Sequence, residues 1–179
     1  MMKPRLERNT LERIHLLYLV ENFAFMILTV DMSFVDFKPD LVGLGEKDTL
    51  FELKTRVYPV NQSGERKRPK SDFAWWPLEM TQIRRYERYA ESHGSEIFWL
   101  LILGYSNCEV REIKSEGAFY QRDIYVVPWE IYKPIAARNQ THIGLNTLVR
   151  LELQRYDIGS CSVYIDRTVS EKVGRYFHF

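Results

Sequence analysis

Three residues in the first third of the chain have the types and spacing that chemistry could use: Asp40, Glu52 and Lys54. They sit on two apolar runs that flank a polar, glycine-containing stretch, which is a hairpin signal. With the turn centred on Glu46, Asp40 and Glu52 are equally far from the centre and so stand directly opposite each other. Opposed residues of antiparallel strands hold their Cβ atoms roughly 4.5–5.5 Å apart on one face. Side chains alternate along a strand, so Glu52 and Lys54 share that face while Leu41, Phe51 and Leu53 turn to the other. Two carboxylates at such a distance repel, and a divalent cation relieves the repulsion. Magnesium takes oxygen ligands and keeps waters and substrate phosphate oxygens beside one or two protein carboxylates. It lowers the pKa of a bound water and stabilises charge on a phosphate under attack. A neighbouring lysine orients or helps deprotonate that water, or neutralises the transition state. These parts suit phosphodiester hydrolysis with Mg2+, for which Mn2+ can substitute. The plainer alternative is a strand-start Asp40 after Pro39 and a solvated hairpin face carrying Glu52 and Lys54. The apolar neighbours argue instead for partial burial, and buried charges rarely persist without partners or metal.

The elements that must position these residues can be read from periodicity. Asn9 and Thr10 are reasonable caps for a helix whose apolar positions Leu11, Ile14, Leu17 and Tyr18 follow helical spacing. Residues 23–30 are rich in strand formers. A second helix is expected from Leu78 to about Ser92, closed by Gly94 just past its end. Residues 97–103 are nearly all apolar and suit a central strand covered on both faces. Residues 124–128 read as another strand, ended by Pro128. Beyond Pro134 the signals weaken, and residues 148–153 and 162–165 read as strands of a terminal extension. The order helix, three strands, helix, strand, strand gives a mixed α/β layer architecture in one domain over residues 1–179. Its core covers about 9–130 and its C-terminal extension about 134–179.

Pro39-Asp40 followed by Glu52-Leu53-Lys54 resembles the signature of the PD-(D/E)xK nuclease superfamily, the restriction-endonuclease-like fold. The resemblance implies an α/β core in which a central mixed β-sheet is flanked by helices: a helix, a three-stranded meander, a second helix and a further strand. It covers somewhat more than half of the chain. It also implies that Asp40 and Glu52 bind the metal, that Lys54 assists the water, and that the activity is a deoxyribonuclease. Many members carry a further acidic residue on the first helix that completes the metal site, as in archaeal Holliday-junction resolvases. Glu12 is the best-placed residue for that role here, with Glu21 behind it; a first-turn glutamate favoured by the helix dipole is the ordinary alternative. Gln82-Ile83-Arg84-Arg85-Tyr86 is similar to the Gln-x-x-x-Tyr motif of RecB-type exonucleases, with Gln82 and Tyr86 one turn apart on one helix face. Members of that type with an iron–sulfur cluster need four cysteines, which this chain lacks.

Composition sets the bounds. Hydrophobic residues make up 45% and charged residues 27% of 179 residues, enough for a sizeable core without staples. Cys108 and Cys161 stand apart from each other and from any histidine at ligand spacing, which argues against a zinc site or a disulfide scaffold. A reducing cytoplasmic compartment is the default. The apolar stretch 16–30 is interrupted by polar residues and suits neither a membrane span nor a signal peptide. The formal net charge is only +1, so a nucleic-acid partner requires locally concentrated positive charge. Arg66, Lys67, Arg68 and Lys70 in an exposed loop are the first source, since phosphate contacts supply most non-specific affinity. Arg56 on the hairpin and Arg84, Arg85 and Arg88 on the second helix extend it. Trp75 and Trp76 suit core packing, with stacking on unpaired bases as the alternative. The expected partner is DNA, with RNA open, and a homodimer would supply two cuts for two strands. The alternative in another class is a nuclease-fold protein that holds nucleic acid or a partner without cutting.

Overall fold

The computed structural model describes residues 3–27, 40–43, 49–59, 75–77, 80–138 and 142–178. The described residues form an α/β fold around a mixed seven-stranded sheet. Helix α1 (Lys3–Asn22) precedes β1 (Phe25–Ile27), β2 (Leu41–Gly43) and β3 (Thr49–Pro59), a meander of antiparallel neighbours. The short β4 (Trp75–Pro77) and helix α2 (Met80–His93) then lead to β5 (Glu96–Ser106), which lies parallel to β3. Strand β6 (Phe119–Pro128) pairs antiparallel with β5. Helix α3 (Trp129–Arg138), β7 (His142–Gly144) and helix α4 (Leu145–Arg150) follow. Last come β8 (Gln154–Ile158), β9 (Cys161–Ile165) and α5 (Ser170–Gly174), which runs into a 3-10 turn, Arg175–Phe177. The sheet order is β1-β2-β3-β5-β6-β9-β8, and β4 pairs separately with β7.

Strand alternation divides the core into two faces. On one, Leu53, Leu100, Ile102, Ile124, Val126 and Val163 pack beneath Tyr18, Leu19 and Phe23 of α1 and Val173, Tyr176 and Phe177 of the C-terminal segment. On the other, Leu50, Trp99, Leu101, Tyr125 and Val127 pack beneath Ile83 and Tyr86 of α2, Tyr132 and Ile135 of α3, and Ile143, Leu145 and Leu148. β5 is buried from Ile97 to Ser106, as its apolar run requires of a strand covered on both sides. Gly94 ends α2 at φ +62°, the left-handed conformation that glycine adopts without a Cβ penalty.

The structure departs from the sequence expectation at several elements. α1 begins at Lys3, ahead of the Asn9-Thr10 cap. The strand expected over 23–30 is β1, of which residues 28–30 lie outside those described, as do the turn residues 44–48. Residues 148–153 do not form a strand: Leu145 and Leu148, three apart, are both buried on one side of α4, so helical spacing prevails over the alternation of later leucines. The C-terminal region is no appendage. β9 is an interior strand beside β6, and Val163, Ile165 and Val173 are fully buried. No described helix is long and apolar enough to cross a membrane.

Candidate active site

The hairpin register places the central pair. Leu41 pairs with Phe51 and Val42 with Leu50, so Asp40, one step before β2, stands across from Glu52 as its spacing requires. The Asp40 carboxylate is fixed from β3 itself: its Oδ2 accepts the backbone N–H of Leu53 at 2.8 Å. Lys54 Nζ donates to Glu52 Oε1 at 3.1 Å. Glu52 is 3% and Lys54 8% exposed, so these charges do not form a solvated hairpin face. Burial, and then the charge of Asp40, push the Glu52 carboxyl well above the usual carboxylate range, while Lys54 pulls in the opposite direction. The nearby Asp40 side chain favours keeping a proton on Glu52. Two carboxyl groups facing each other across the hairpin, one of them buried, form a donor set that a divalent cation can take over, with Lys54 beside it.

The wall behind the pair is aromatic. Glu52 pairs across the sheet with Trp99. The Trp99 ring stacks on Tyr132 at 4.3 Å and 10°, stacks on Trp129 at 5.0 Å, and meets Tyr86 edge-on at 6.2 Å. Tyr132 is buried, and burial together with the charge of Glu52 raises its phenol pKa. Tyr132 belongs to the surroundings of Glu52 and was not anticipated from the sequence. It lies far along the chain on α3, with no motif to mark it, and only the sheet order brings it there.

Of the other expected site residues, Arg56 falls on the same face of β3 as Glu52 and Lys54 and is half-buried. Tyr86 is 3% exposed and points into the core against Trp99. Gln82 lies one turn before it on α2; its side chain is not among those described. Arg84, Arg85 and Arg88 are exposed on the side of α2 opposite Ile83 and Tyr86, so they face away from the sheet and do not converge on Glu52. Glu12 is on α1 beside Leu11, which packs with Ile14, Ile113, Phe119 and Val57, on the sheet face opposite Glu52. No group of three or more His, Cys, Asp or Glu side chains gathers among the described residues, so Glu12 does not complete a three-carboxylate set with Asp40 and Glu52. Arg66, Lys67, Arg68 and Lys70 lie outside the described residues. Trp76 is a core residue: fully buried, it donates from Nε1 to the Ile102 carbonyl at 3.2 Å.

Comparison with family models, with curated proteins and with solved structures gives no match for this chain.

Proposed function

We propose that this chain is a metal-dependent deoxyribonuclease that hydrolyses phosphodiester bonds at Asp40, Glu52 and Lys54, on a restriction-endonuclease-like core running from α1 to β5. The observation that carries this reading is the convergence of an acid pair and a lysine in a buried site. Asp40 is pinned by the Leu53 amide, Glu52 has an elevated affinity for a proton, and Lys54 lies at 3.1 Å. Burying Glu52 and Lys54 costs several kcal/mol unless each has a partner or a task. The order of α1, β1, β2, β3, α2 and β5, with β3 and β5 parallel, supports the same reading.

Asp40 and Glu52 would hold a magnesium ion, which supplies a Lewis acid for the phosphate and a water acidified for attack. The chain's own residues do the rest. The Leu53 amide keeps Asp40 in place. Glu52 would hold the cation as its carboxylate, its proton passing to solvent. Lys54, beside Glu52, would orient the attacking water with its ammonium and offset the growing negative charge on the phosphate. Arg56 lies one strand repeat further along, about 6.6 Å on, and binds the neighbouring phosphate. Tyr86 and Tyr132 act as positioning residues by packing the Trp99 wall behind Glu52.

The test is incubation of the protein with labelled single-stranded, duplex and four-way-junction DNA in magnesium, manganese or chelator, beside Lys54→Ala. Metal-dependent cleavage that falls at least a hundredfold in the variant is expected. Tight binding of every substrate with no cleavage under any metal would overturn it, in favour of a nuclease-fold protein that holds nucleic acid without cutting.

A further inference from the structure

The opposite face of the sheet carries a second buried charge, one that the proposed nuclease site does not use. Arg122 on β6 is fully buried, where an unpaired cation is strongly unfavourable. Its Nε donates to His15 Nδ1 at 3.0 Å and its Nη1 to Glu116 Oε1 at 2.9 Å. Its Cζ lies 3.8 Å from the centroid of the Tyr18 ring. Among the described residues, Nη2 reaches no acceptor, and neither does Nε2 of His15. His15 is uncharged in the fold, because burial and Arg122 hold its pKa down at about 3. Since Nδ1 accepts, the ring proton sits on Nε2, which is therefore a donor. Among the described residues, two buried donors thus lack acceptors in a cluster to which Glu116 brings a carboxylate.

This cluster lies directly behind a cleft of about 440 Å3 between the end of α1, a 3-10 turn (Glu116–Ala118) and the turn joining β8 to β9. Tyr18 and Glu116, two of the residues that hold the guanidinium, both line it. So does Ser160, whose carbonyl accepts the Arg122 amide at 3.1 Å. The Glu116 side chain is 51% exposed and projects from a short turn. Among the partners of Arg122 it can leave without opening the core.

We propose that this cleft binds a small anion with two oxygens on one centre, a carboxylate or a phosphate monoester, which displaces Glu116 and engages both Nη1 and Nη2 of Arg122. A planar guanidinium matches such a ligand bidentately, where Glu116 uses only one arm. The site lies on the opposite sheet face from Glu52 and is separate from the one proposed there.

The test is titration of the full chain with inorganic phosphate, and separately with acetate, against sodium chloride at matched ionic strength. Amide resonances of Gly159 and Ser160 report on the cleft. Saturable shifts with either anion are expected, and the stronger of the two names the source chemistry. Glu116→Ala removes the internal competitor and is expected to bind about tenfold more tightly, or about 1.4 kcal/mol. Lys54→Ala is expected to bind as the unaltered chain does, which keeps this result independent of the nuclease reading. Shifts that follow ionic strength alone, or an affinity unchanged by Glu116→Ala, would overturn the proposal. So would binding that is lost in Lys54→Ala.

Discussion

The Glu52 carboxyl shows what the site costs and what it is ready to do. Its folded pKa lies above its unfolded value, so the native state binds the proton more tightly than the unfolded chain. The stability this group contributes is complete below the ordinary carboxylate range and is lost as pH rises through the elevated value. Without divalent cation, Glu52→Gln is therefore expected to melt at or above the temperature of the unaltered chain at neutral pH. It should also lose any stabilisation by magnesium, which a melting series with and without the metal reads directly. His15 behaves in the opposite sense. Its pKa falls from 6.5 to about 3, so its contribution is present above about pH 6.5 and is lost as pH falls toward 3, by on the order of 4 kcal/mol. His15→Gln keeps an acceptor for Arg122 and removes the titration. Unfolding free energies measured from pH 7 to pH 4 should fall less steeply in that variant than in the unaltered chain. At this scale the sequence was most legible where arithmetic could be done. The distance of Asp40 and Glu52 from Glu46 placed them opposite each other, and alternation put Lys54 on the same face. Glu12 carried no such constraint, because a position along α1 does not say which sheet face the helix covers. Arg122 and His15 were invisible, since they are 107 residues apart and meet only in the fold.

Elements were legible where one period dominates. The apolar run of β5 and the glycine that ends α2 are local signals, and both elements formed as the sequence implied. α4 was not, because its leucines satisfy two periods at once and burial against β7 and α3 decides between them. β4 is three residues long and is held by its partner β7, a contact that no local pattern encodes. Close approach between elements gives a sharper test. A Cβ on Gly104 would stand 2.5 Å from Phe119 Cε1 and 3.1 Å from His15 Cε1, both parts of packed rings. Gly104→Ala should therefore destabilise the fold by about 1–3 kcal/mol through overpacking. Urea unfolding should show a lower midpoint with an unchanged slope.

For the whole molecule, the decisive fact is that the sheet is completed from the end of the chain. β9 lies between β6 and β8, and Val163, Val173, Tyr176 and Phe177 close the core over Leu53 and Leu100. The pairing of β6 with β9 joins residues about forty positions apart, which is why it could not be read locally and why the last residues looked like an extension. A chain ending at Arg138 should leave that apolar face open and fail to unfold cooperatively by circular dichroism. A sharp thermal transition in the truncated chain would show that the core closes without its C-terminal strands. The outer strand β8 presents Arg155 and Asp157, paired at 2.9 Å, and charges of this kind discourage edge-to-edge association.

Calorimetric titration with manganese and magnesium tests the proposed divalent-cation site at Asp40 and Glu52 without knowledge of the substrate. One cation is expected to bind the unaltered chain with release of a proton from Glu52, seen as a dependence of the heat on buffer ionisation. Asp40→Asn and Glu52→Gln should weaken binding at least tenfold. Binding that neither variant changes, or no binding at millimolar metal, would contradict the account.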